Sequence, residues 1–132
     1  MTLLATYGAM LVVFLGIDAV WLKYVMKPLF DHHVGALLAE EVRLGVAAGF
    51  YVLYVMGIIY FAVSPALREG GWSAALLKGA LFGFFAYGTY EATNMATLKG
   101  WSWTMVAVDV TWGTALTALT ALVGYSVHRA LT

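Results

Sequence analysis

Long apolar stretches separated by short polar breaks dominate this chain. The first runs from about Leu3 to Leu22, the second from about Leu44 to Ser64, the third from about Ser73 to Thr97 and the fourth from about Thr104 to Val127. Each reaches the roughly 20 apolar residues that a helix needs to cross the hydrocarbon layer of a bilayer. The apolar positions are continuous and do not alternate at every second residue, which disfavours barrel strands. The breaks carry helix-ending chemistry. Lys23, Lys27 and Pro28 follow the first stretch, and Ser64, Pro65, Arg68, Glu69, Gly70 and Gly71 follow the second. Lys99 and Gly100 make a tight turn between the third and fourth, and His128 and Arg129 close the last. The pattern predicts one all-α domain over residues 1–132, an integral membrane four-helix bundle in antiparallel up-down order.

Composition agrees. Of 132 residues, 63% are hydrophobic and 11% charged, whereas soluble domains carry about 25% charged residues. So little charge cannot solvate the surface of a small globule, so the apolar excess faces lipid. The formal net charge is zero, which removes the electrostatic basis for a nucleic-acid partner. There is no cysteine, which excludes disulfides, thiolate metal sites and cysteine nucleophiles. The first stretch lacks a basic leader and contains Asp18, so it reads as a retained helix and not a cleaved signal.

With four crossings both termini share one side, here side A; the loop over residues 23–43 and the Lys99 turn lie on side B. Basic residues number three on side A (Arg68, Lys78, Arg129) and four on side B (Lys23, Lys27, Arg43, Lys99). The positive-inside rule therefore favours side B as cytoplasmic only by a margin of one. In the loop, Leu29, Phe30, Val34, Leu37 and Leu38 fit either one stripe of a short interfacial helix or a plain connector.

The candidate chemistry is acidic. Asp18, Glu91 and Asp109 are the acids inside the expected spans. Asp18 and Glu91 fall shortly before the B end of their helices, and Asp109 shortly after the start of its own. At about 1.5 Å per residue all three lie about 6–10 Å beneath the B surface. The turn at Gly100 makes helices three and four neighbours, with Glu91 level with Asp109. Two ionised carboxylates side by side in a low dielectric repel, so the pair calls for a shared proton or a cation between them. Gly79, Gly83, Tyr87, Glu91 and Asn94 form one stripe on the third helix; Asp109, Gly113, Thr117, Thr120 and Gly124 form another on the fourth. Small and hydroxylic residues suit helix–helix contact, so both stripes are expected to face inward. Trp101 and Trp103 read as interface anchors, and Trp21 and Trp112 as pocket walls.

An ionised group at membrane depth costs at least about 2.5–3.5 kcal/mol. Three of them argue for a use over a purely structural network. The expected binding residues are Asp18, Trp21, Tyr90, Glu91, Asn94, Asp109 and Trp112. His32 and His33 lie in the side B loop, but neighbouring histidines on a helix diverge by about 100°. No His-x-x-x-His or Glu-x-x-His spacing accompanies them, so neither a metal site nor a cofactor is expected. Tyr51, Tyr54, Tyr87 and Tyr90 read as packing or interface residues. Three functions fit these residues. One is transport or binding of a proton, cation or small solute, with a homodimer enclosing the path. The second is an intramembrane lipid or isoprenoid enzyme using the carboxyl pair as acid and base; the third is an accessory subunit.

The segments GIDAVWL, YEATNMATLKGW and VDVTWGT carry a resemblance to a family of small bacterial four-helix membrane proteins classed as a domain of unknown function. It spans nearly the whole chain, and Thr93, Asn94, Ala96, Thr97 and Leu98 form its most specific block. Members of that family typically have aspartate where this chain has Glu91. The resemblance implies a multi-pass protein of the bacterial inner membrane, with no established activity.

Overall fold

The computed structural model describes residues 2–34 and 44–132, and among these it is helical with no strand. Helix α1 (Thr2–Trp21) continues through a π-helical turn, Leu22–Met26, into α2 (Lys27–Val34). Helix α3 (Leu44–Ile58) continues through π-helical turns at Ile59–Val63 and Ala66–Gly70 to α4 (Gly71–Thr97), and α5 covers Trp103–Leu131. Among the described residues three helical runs are long and apolar enough to cross a membrane: Thr2–Leu29, Gly45–Thr97 and Trp103–Leu131.

The middle run has 53 residues, which as a straight helix would extend about 80 Å. It does not run straight. The Tyr54 and Phe82 rings stack with centroids 5.2 Å apart, and Phe61 stacks on Phe82 at 5.5 Å. The chain therefore folds back on itself between these residues. Gly71, with φ +77° and ψ −170°, sits at the start of α4, where a side chain would be strained.

Two expected helix stops do not stop the helix. The chain passes Lys23, Lys27 and Pro28 to Val34, and passes Ser64 and Pro65 to Gly70. Both prolines stand two residues beyond a π-helical turn. In each, an N–H reaches five residues back, from Lys27 to the Leu22 carbonyl and from Ser64 to the Ile59 carbonyl. A proline ring clashes with the carbonyl four residues before it and leaves that carbonyl without a donor. A widened turn just upstream relieves the crowding, so the helix continues. The Lys99–Gly100 turn is sharp, with Gly100 at φ +83°. Ser102 then caps α5, its Oγ accepting the Met105 N–H at 3.2 Å. Leu37 and Leu38 of the expected interfacial stripe lie outside the described residues.

Polarity is arranged inside out. Val12, Phe50, Leu53, Phe61, Phe85 and Leu119 face outward, while Thr6, Asp18, Glu91, Asp109, Thr117 and Thr120 are buried. Lipid is as apolar as these outward side chains, so burial of hydrocarbon does not drive the helices together; close packing and polar contacts do. Contact between α4 and α5 is tightest. A Cβ on Gly83 would collide with the Gly113 carbonyl and the Thr117 side chain, and one on Gly113 would enter the Tyr87 ring. One on Gly79 would lie 2.9 Å from the Thr117 carbonyl. Helix α1 buries Thr6, Met10, Phe14 and Asp18, a residue every four, and Met10 fills the space at Gly124 of α5. Tyr54 of α3 shares a 2.8 Å hydrogen bond with Thr117 of α5, and the Tyr7 hydroxyl donates to the Val52 carbonyl at 3.0 Å.

Gly83→Ala is expected to lower stability by about 1–3 kcal/mol through overpacking. Gly88→Ala, where a Cβ meets nothing within 4 Å, should be neutral or slightly stabilising. Thermal unfolding of both variants in one detergent measures the difference; equal melting temperatures would contradict the packing described.

Candidate functional site

The three membrane-depth acids come from α1, α4 and α5, and all are shielded: Asp18 is 3% exposed, Glu91 0% and Asp109 8%. Each sits on the buried stripe of its helix. For Asp18 the four-residue repeat of α1 places the side chain inward below Phe14, and Asp109 occupies the same face of α5 as Gly113 and Thr117. Glu91 continues the Gly79–Gly83 face of α4.

Asp18 and Asp109 open onto one cavity of about 330 Å³, also lined by Leu22, Met26, Phe50, Tyr51, Tyr54, Ala86, Tyr87 and Tyr90. Glu91 does not line it. It lies beside Asp109, which neighbours both Glu91 and Asp18. The hydrogen bonds divide the acids further. Trp112 donates its indole N–H to Asp18 Oδ1 at 3.1 Å, and Trp101 donates to Glu91 Oε1 at 2.9 Å. Glu91 Oε2 is buried with no hydrogen-bond partner among the described residues. The single indole N–H satisfies one of the two Glu91 carboxyl oxygens and leaves the other without a donor among the described residues. Among the described residues no group of three or more His, Asp or Glu side chains is gathered as a metal site, so the acids are neighbours without forming a common ligand set.

The other expected residues separate. Tyr90 lines the cavity at its edge, 52% exposed. Trp21 and Trp112 stack face to face, centroids 4.0 Å apart and planes within 2°. Together they line a different groove, on the outer face of α1 with Gly16, Ile17 and Val20. Trp112 reaches Asp18 through its N–H, whereas the Trp21 Nε1 is buried with no hydrogen-bond partner among the described residues. Asn94 is half-buried and does not line the cavity; its carbonyl accepts the Leu98 N–H at 2.9 Å and helps end α4. His32, in α2, is exposed; the His33 side chain lies outside what is described.

Two features escaped the reading of the sequence. Trp101 is bound to Glu91 as well as lying at the turn. Tyr51 and Tyr54 from α3 and Tyr87 from α4, expected as packing residues, wall the acid cavity beside Tyr90 of α4, which was expected at the site. Their common three-residue spacing, on two helices beside the acids, was the available signal.

An all-helical bundle with apolar exterior and inward acids defines a polytopic membrane protein. The chain belongs to the family described as Predicted membrane protein (DUF2177), a domain of unknown function, whose model matches residues 3–126. No curated protein and no solved structure matches it.

Trp101→Phe, which keeps the ring but removes the donor, is expected to cost about 1–3 kcal/mol of stability by leaving Glu91 unpaired. Adding Glu91→Gln should restore part of that loss, because an amide needs less compensation than a carboxylate. A double-mutant cycle in thermal unfolding measures the coupling; strict additivity would contradict the indole–carboxylate bond.

Proposed function

We propose that this protein binds and passes a proton, cation or small solute across the bilayer, using Asp18, Glu91 and Asp109 as the charge-bearing groups. The observation that carries the reading is the pairing of a cavity open to Asp18 and Asp109 with a fully buried Glu91 oxygen that has no donor among the described residues. In this reading a proton shared between Glu91 and Asp109 supplies the missing donor, and Asp109 exchanges that proton with whatever occupies the cavity. Trp112 holds Asp18 in place; Tyr90 stands at the entrance.

The reading includes four antiparallel crossings in one domain, with spans near 3–22, 44–64, 73–97 and 104–127 and a reversal at Gly70–Gly71. The positive φ of Gly71 and the Tyr54–Phe82 stack support the reversal. It also includes insertion in a bacterial inner membrane and a homodimer. Pairing has a physical motive, because Phe50 and Tyr90 at the cavity rim are exposed in a single copy and a second copy would enclose the path.

In proteoliposomes the protein should carry a pH-gradient-driven flux above that of empty vesicles. Asp109→Asn and Glu91→Gln should each reduce it about tenfold or more while the helical fold survives, since proton relays in membranes depend on their acids. Flux equal to empty vesicles for protons and several cations would contradict the proposal, as would undiminished flux in both variants.

A further inference from the structure

The cavity's walls say more about its occupant than its acids do. Its volume of about 330 Å³ lies at the small end of the roughly 300–1,000 Å³ typical of organic-ligand pockets. Five of its ten lining residues are aromatic: Phe50, Tyr51, Tyr54, Tyr87 and Tyr90. Leu22, Met26 and Ala86 complete the apolar part, and the two acids supply the charge. None of these lining residues is basic, so an anion would find no counter-charge. A small inorganic cation would have to shed its water against walls that are mostly hydrocarbon and ring. Aromatic faces attract a diffuse positive charge, and they do so most strongly where water is absent, the arrangement that recognises substituted ammonium groups. The rim is built of exposed, largely apolar side chains: Phe50 is 62% exposed, Tyr90 52% and Leu22 42%.

We infer that the cavity between α1, α3, α4 and α5 binds a monovalent organic cation with an apolar body, admitted sideways from the bilayer. Its charged nitrogen sits between the Asp18 and Asp109 carboxyls against the tyrosine rings, and its hydrocarbon lies along Leu22, Met26 and Phe50. Asp18, fixed by the Trp112 N–H at 3.1 Å, is a positioned acceptor. This assignment rests on the proposed role of the acids in binding, and it names the substrate class.

The test uses the full chain in lipid nanodiscs with benzyltrimethylammonium as probe. Neopentylbenzene, in which carbon replaces the nitrogen, serves as neutral competitor. Wild type is expected to bind the probe saturably, and the neutral compound should fail to displace it. Asp18→Asn and Asp109→Asn should each weaken binding about thirtyfold or more, as when one member of a buried charge pair is lost. Because either variant can fail to fold, Tyr90→Leu and Tyr90→Phe at the exposed rim provide a second measure. The leucine should weaken binding about threefold to thirtyfold, the span of cation–π contacts, and the phenylalanine should leave it within about twofold. Absence of saturable binding to folded wild type would overturn the inference, as would equal competition by the neutral compound or indifference to Tyr90→Leu. Vesicle flux run in parallel separates the two ideas. Proton or inorganic-cation flux without probe binding overturns this inference and leaves the transport reading standing; acid-dependent binding with no flux of any kind upholds the cavity assignment and overturns transport.

Discussion

The near-contact of the α4 and α5 backbones is the constraint from which the rest of the site follows. Gly79, Gly83 and Gly113 remove the side chains that would hold these helices apart, and Tyr87 lies over Gly113 in the space that a side chain there would fill. In a bilayer no hydrophobic force draws helices together, so this packing carries much of the association itself. It also fixes register. With the chain reversed at Gly100, Glu91 arrives beside Asp109, and the Tyr87 ring is turned toward the Asp18 side of the cavity. Met10 against Gly124 extends the same principle to α1, which brings Asp18 to the third wall.

Within that frame the acids are treated unequally. Asp18 is held by Trp112, Glu91 is half satisfied by Trp101, and Asp109 stands between them facing the cavity. A purely structural network would be expected to satisfy every buried oxygen, because an unmatched polar atom in a low dielectric weakens the fold. Among the described residues this bundle departs from that rule at Glu91 Oε2 and at Trp21 Nε1, and of the two only the Glu91 oxygen belongs to an acid. Departures of this kind mark functional sites more often than flaws, since stability is given up there for a purpose.

Much of this could be read in the amino-acid order. Continuous apolar runs gave the helices, and the four-residue stripes of glycine, threonine and acid identified the inward faces of α4 and α5, because those residue types have few other uses at membrane depth. Helix continuation past Pro28 and Pro65 was not legible, since a π-helical turn leaves no signature in local composition. Nor was the part of the tyrosine wall made by Tyr51, Tyr54 and Tyr87. A tyrosine is equally suited to an interface belt, a packed core or a pocket, and only the neighbouring helices decide among them. Trp21 illustrates the reverse case: its position one turn from Asp18 suggested a wall of the acid pocket, yet its ring stacks on Trp112 and lines a separate groove.

The meeting of acids from separate helices is the claim on which the account stands, and carboxyl-to-carboxyl contacts measure it directly. Solid-state NMR on bilayer-embedded protein labelled with ¹³C in aspartate, glutamate and tyrosine should give a through-space cross-peak between the Glu91 and Asp109 carboxyl carbons. A second should join the Asp18 carboxyl to the Tyr51 ring, since both line the same cavity. Spectra of an intact helical protein lacking both peaks would contradict the account.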